Sequence, residues 1–108
     1  MHIVQISFDR SNLQLAAFDD AERAKPFVAI AGLRWKIWLH SEDYPKFGGI
    51  YCFENRAAAE AYLTGPIVSA LRANPDIANF SAEIFAVAEN PSRVTQAPVF
   101  FPARAAAE

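Results

Sequence analysis

The sequence predicts an α+β domain of ferredoxin-like order, β-α-β-β-α-β, built on one antiparallel sheet. Three observations predict it. Strand-type patterning recurs at 2–8, 33–40, 49–53 and 80–89. Only a polar turn, 41–47, joins the middle pair, whereas helix-forming sequence separates each outer strand from that pair. That order puts both helical connections on one face of the sheet. With 108 residues, 53% of them apolar, the chain suits a single domain with a real core.

The first strand, 2–8, carries Ile3, Val4, Ile6 and Phe8, and a polar turn follows at 9–12. Residues 13–18 are apolar without a clear period and read as an irregular segment packed on the core. Asp19 or Asp20 is an N-cap for a helix running to about Ala31, with Asp20 and Glu22 suited to its first turn. Pro26 lies inside that span, so it kinks the helix or marks the start of its ordered part, and Gly32 stops it.

The second strand, 33–40, is bulky on both sides. Alternation puts Leu33, Trp35, Ile37 and Leu39 on one face and Arg34, Lys36, Trp38 and His40 on the other. A strand of this kind is covered on both faces, and so short a chain supplies only one cover from its own helices. The second cover is expected from another copy of the chain, a homodimer with two sheets packed face to face. After the third strand, Asn55 caps a helix over 56–63, and Pro66 opens a second over 66–73. In the fourth strand Phe80, Ala82, Ile84, Ala86 and Ala88 share a face, opposite Phe85 and Val87. Past Pro91 the pattern fails, which divides the chain into a domain, 1–97, and a C-terminal tail, 98–108. Phe100 and Phe101 are too costly to leave in water, so 98–102 is expected to dock on protein surface, with the last residues frayed.

Composition excludes several function classes. Ten basic against twelve acidic residues, with no basic stripe, argue against nucleic acid. No apolar run approaches the ~20 residues of a membrane span, and from the strand-like start no signal peptide is expected. The single Cys52, between Tyr51 and Phe53, reads as a small buried hydrophobe, and a cytoplasmic location is expected. There is no Gly-x-Gly-x-x-Gly, no Walker-type phosphate loop and no cysteine pair, and His2 and His40 are too few for a metal cluster. No cofactor and no metal are therefore expected.

The candidate site residues cluster on the second and third strands. Trp35 and Trp38, three positions apart, face opposite sides of the sheet; each is either structural or the wall of an apolar pocket. Lys36 and His40 share a face with Trp38. His40 carries the side chain type most suited to proton abstraction at neutral pH, although the end of a strand is also where plain exposure is common. Tyr51 either donates a hydrogen bond to a substrate oxygen or is an ordinary half-buried strand tyrosine.

Three blocks carry a resemblance: Gly32-Leu33-x-Trp35-Lys36-x-Trp38, then Gly48-Gly49-Ile50-Tyr51-x-Phe53, then Ala58-Ala59-x-Ala61-Tyr62-Leu63. Over roughly 32–96 the chain resembles the YdhR-type mono-oxygenase family of the dimeric α+β barrels. That superfamily also contains cofactor-independent oxygenases of aromatic polyketides. The resemblance implies a homodimeric barrel with a pocket between the sheet and helices of each subunit. It departs at His40, where close relatives would carry an acid. On this reading the chain is a cofactor-independent mono-oxygenase of a small aromatic or polyketide-like compound. His40 is the base, Lys36 or Arg34 offsets negative charge, and Trp35, Trp38 and Tyr51 hold the ring. Two other readings stand beside it: a non-catalytic binder of a small apolar molecule, and an isomerase or cyclase using the same base.

Overall fold

The computed structural model describes residues 1–101; expectations for 102–108 lie outside the described residues. The elements run β1 (His2–Asp9), α1 (Leu15–Phe18), α2 (Ala21–Ala24), a 3-10 helix (Lys25–Ala29), β2 (Leu33–His40), β3 (Lys46–Phe53), α3 (Arg56–Leu63), α4 (Pro66–Ala73), β4 (Ala78–Ala86) and α5 (Glu89–Val94). The four strands form one antiparallel sheet in the order β2-β3-β1-β4, the ferredoxin-like arrangement predicted. Among the described residues no helix is long and apolar enough to cross a membrane.

One face of the sheet is built for burial. Val4, Ile6 and Phe8 of β1 and Phe47, Tyr51 and Phe53 of β3 point under the helices and are all buried. Asn55 accepts a hydrogen bond from the Ala58 amide at 2.8 Å and starts α3, which buries Ala59 and Tyr62 on the sheet. Pro66 occupies the first turn of α4, which buries Val68. The expected helix over 20–31 is instead two short pieces. Asp20 caps α2, accepting from the Glu22 amide at 3.0 Å, and Pro26 then tightens the chain into the 3-10 helix. Proline has no N–H to continue an α-helical ladder, so the segment breaks rather than kinks. The 13–18 segment contains α1, which buries Phe18.

A bulge in β2 corrects the face assignment. Leu33 pairs with Phe53 but Trp35 pairs with Cys52, so Arg34 is an extra residue in the ladder. Leu33 therefore joins Lys36 and Trp38 on the helix face, while Trp35, Ile37 and Leu39 take the opposite one. Strand limits also shift: β1 runs on to Asp9, β3 starts at Lys46, and β4 spans Ala78–Ala86. A short helix, α5, occupies the region after Ala88 where no element was expected.

The opposite face is partly closed by the chain's own tail. Trp35 Nε1 donates to the Pro98 carbonyl at 2.7 Å, and Val99 is buried. The Arg93 guanidinium lies 4.0 Å from the Phe100 ring centroid, and that of Arg34 4.8 Å from Phe101. Cys52 faces this side and is fully buried. Farther along the same face, Ile37, Leu39 and Phe85 remain exposed.

Candidate active site

Between the sheet and the helices lies a cavity of about 330 Å³. Its floor is Ile6 and Phe8 of β1, Lys36 and Trp38 of β2, and Gly48 and Tyr51 of β3. Phe18, Arg23 and Phe27 close one side, and Tyr62, Ile67, Ala70 and Leu71 close the other. The two walls come from the two helical connections of the fold, so the cavity follows directly from the β-α-β-β-α-β order.

Lys36 is the chemical centre of this space. Its Nζ lies 3.2 Å from the Trp38 ring centroid, 4.2 Å from Phe27 and 4.6 Å from Tyr51. Gly49 makes room for it: a Cβ there would lie 2.7 Å from Lys36 Cε. Burial, and secondarily the nearby Arg23 charge, lower the Lys36 pKa from 10.5 to about 7. The three ring faces each favour the ammonium, by about 0.5–2 kcal/mol, and so partly offset its desolvation. An amine in this position is divided between its neutral and charged forms near neutral pH.

Two phenols complete the polar lining. The Tyr51 and Tyr62 hydroxyls share one hydrogen bond, Oη to Oη 3.1 Å, which leaves one O–H of the pair for a ligand. Burial pushes the Tyr51 hydroxyl far above its usual range, and the neighbouring Tyr62 adds to that shift. Burial also raises Tyr62, against a smaller lowering by its bond to Tyr51. Both are therefore neutral proton donors at physiological pH. Aromatic packing fixes the walls: Phe27 meets Trp38 edge-on at 4.8 Å, Phe18 meets Trp38 at 5.7 Å, and Tyr51 lies 5.0 Å from Tyr62.

Of the residues selected from the sequence, the structure brings Lys36, Trp38 and Tyr51 together. His40, Trp35 and Arg34 do not line this cavity, although Arg34 and Trp35 share a cleft at the β2 edge with Lys36 and Trp38, and His40 shares a depression with Trp38. His40 is exposed at the end of β2, its Nδ1 3.4 Å from the Ser41 carbonyl, beside a separate depression with Asp19 and Asp20. Trp35 is on the other face, bonded to the tail. Arg34, displaced by the bulge, pairs with Glu54 at 3.1 Å and lines a shallower cleft at the β2 edge. Arg23, Phe27 and Tyr62 were missed as site residues. The first two lie in a helical segment whose path depends on Pro26. Tyr62 had a signal, as the one tyrosine in an alanine-rich helix within the third resemblance block. Cys52 is inert, its thiol pushed up by burial. Among the described residues no group of His, Cys, Asp or Glu could hold a metal ion.

The family model described as "Putative mono-oxygenase ydhR" matches residues 3–98. The chain belongs to this family. No curated protein matches it. Among solved structures, it is similar to a "putative antibiotic biosynthesis monooxygenase" from Deinococcus radiodurans, at 14% identity and a TM-score of 0.64, covering 82% of this chain and 94% of that one. It is also similar to NE2512, a protein of unknown function from Nitrosomonas europaea, at 25% identity and a TM-score of 0.58, covering 78% and 84%. A third similar structure is MhuD, a heme-degrader from Mycobacterium tuberculosis with two hemes in its active site. It shows 22% identity and a TM-score of 0.53, covering 80% and 95%. These likenesses support the mono-oxygenase-type α+β fold.

Proposed function

We propose that this family member is a cofactor-independent mono-oxygenase of a small, electron-rich aromatic or polyketide-like compound, with Lys36 rather than His40 as the base. One observation carries the reading: an amine lowered to about 7 is enclosed by aromatic rings in the same cavity as two neutral phenols. The neutral Lys36 amine removes a proton from an acidic ring carbon or phenol. The resulting ammonium, Arg23 and the free O–H of the Tyr51–Tyr62 pair hold the substrate anion. The anion then reduces dioxygen directly. One oxygen atom bonds to the ring carbon, and the other leaves as water when the carbonyl forms. The four electrons come from the substrate carbon, so no external reductant is required.

The lining also bears on the heme of MhuD. The usual protein ligands to heme iron are histidine, cysteine, methionine or tyrosinate. The cavity residues include no His, Cys or Met, and both tyrosines are held as neutral phenols. The lining therefore lacks the usual heme ligands, and the neutral Lys36 amine is the one strong nitrogen base it presents.

We further propose that the apolar patch around Ile37, Leu39 and Phe85 is covered by a second copy in a homodimer, and that the protein acts in the cytoplasm. The decisive experiment for the reaction is turnover of activated phenols and anthrone-type compounds under isotopically labelled dioxygen. One labelled atom in the product supports the oxygenase. Turnover without oxygen supports an isomerase or cyclase, and stoichiometric binding without product supports a binder.

A further inference from the structure

The cavity holds two basic side chains, Arg23 and Lys36, and no carboxylate among its lining residues. Every other polar group there is neutral: the Tyr51 and Tyr62 phenols. Helix α4 contributes only Ile67, Ala70 and Leu71, and β1 only Ile6 and Phe8. Arg34, the nearest further cation along β2, is already paired with Glu54. Arg23 is an exposed residue whose Nη1 donates to the Ala17 carbonyl at 3.2 Å, which fixes the guanidinium beside the mouth with donors to spare. The two cations repel one another, and that repulsion contributes to the lowering of Lys36. An enclosed aromatic space with uncompensated positive charge on one side is complementary to a flat ring bearing a negative group.

We infer that the natural ligand of this cavity is an aromatic acid, whose anionic group sits between Arg23 and Lys36 while its ring lies among Phe27, Trp38 and Tyr51. The inference rests on the cavity being the ligand site but not on oxygen chemistry. It deepens the proposed function by requiring a charged substituent beside the reacting ring. Binding and protonation are then linked. A bound carboxylate favours the Lys36 ammonium, so the complex takes up a proton near pH 7, and affinity falls as pH rises above the free amine's pKa. If turnover also needs the neutral amine, kcat inflects at a higher pH than kcat/KM, because kcat reports the ligand-bound state.

The test compares 2-naphthoate with its neutral isostere 2-naphthamide by titration calorimetry at pH 7, in two buffers of different ionisation enthalpy. Naphthoate is expected to bind at least about tenfold tighter, with net proton uptake. Arg23→Gln should remove most of that advantage, retained naphthamide binding shows that the cavity is intact, and Arg23→Lys should restore part of the advantage. Equal affinity for the two ligands, unchanged naphthoate affinity in Arg23→Gln, or no naphthoate binding up to ~1 mM would each overturn the inference. Charge-selective binding with no labelled oxygen in any product would leave the anion site standing and remove the oxygenase. Labelled product from neutral aromatics alone would do the reverse.

Discussion

The two faces of the sheet are made by the same four strands and differ in what they leave unfinished. The helix face is closed. Val4 and Phe53 are fully buried there, and the cavity around Lys36 lies between this face and the inner side of the helices. The opposite face is closed only at one end, where Trp35 holds the tail, and Ile37, Leu39 and Phe85 stay 42–47% exposed. Alternation along β2 supplies both: Lys36 and Trp38 face the cavity, while Ile37 and Leu39 face the open side. The difference teaches that a large apolar residue on this strand signals a site only when a charged neighbour is forced under the helices with it. Substitutions on the two faces should therefore fail in different ways.

The largest effect is expected at Lys36. Lys36→Met should lower turnover of a confirmed substrate by ~10²–10⁴-fold, the scale of a general base. The fold should not suffer. The folded pKa of about 7 lies below the unfolded 10.5, so the native state binds fewer protons between those values, and wild-type stability rises with pH across that window. Lys36→Met removes the cost of the buried ammonium. Its stability relative to wild type should be highest near pH 6 and should decline toward pH 10, as denaturant melts at several pH values will show.

On the opposite face, Ile37→Asp should leave the cavity intact and break the homodimer. Stable interfaces of obligate dimers commonly bury more than ~2,000 Å², and a charge at the centre of one is not tolerated. Light scattering should move from dimer to monomer mass. A stable wild-type monomer at micromolar concentration would instead remove the distinction drawn between the faces.

A smaller effect is expected from the tail. Truncation after Ala97 removes the bond to Trp35 and the burial of Val99, a loss of roughly 2–4 kcal/mol. It should lower Tm without shifting the pH profile of turnover. An unchanged Tm would mean that the docked segment contributes nothing to stability.

The smallest effect belongs to His40. It is exposed and is not among the residues that line the cavity, facing instead a neighbouring depression with Asp19 and Asp20. His40→Ala should change kcat/KM less than about twofold, within the range of surface substitutions. A loss of ~10²-fold would return the base to the strand end and displace Lys36 from that role.

Much of the fold was legible because alternation and capping are local. Ile6 and Phe8 mark the buried side of β1, Asn55 and Pro66 mark the starts of α3 and α4, and these alone order the elements. The bulge at Arg34 was not legible, since nothing in Leu33-Arg34-Trp35 distinguishes an inserted residue from a paired one. It moved Leu33 to the other face and took Arg34 out of the site. The site was half legible for a related reason. Lys36, Trp38 and Tyr51 lie on neighbouring strands, and period-two spacing brings them together. Phe27, Arg23 and Tyr62 arrive from helices, whose docking angle no local pattern encodes. The choice between Lys36 and His40 turned on burial, which depends on those same helices.

The most direct measurement is the titration of Lys36 itself. NMR of the side-chain amine in isotopically labelled protein, assigned by its loss in Lys36→Met, follows Nζ through its protonation. Burial and Arg23 should place the midpoint at about 7, well below the 10.5 of a free lysine. A midpoint at or above 10.5 would contradict that expectation, leaving a fully charged ammonium at neutral pH and no base in the cavity.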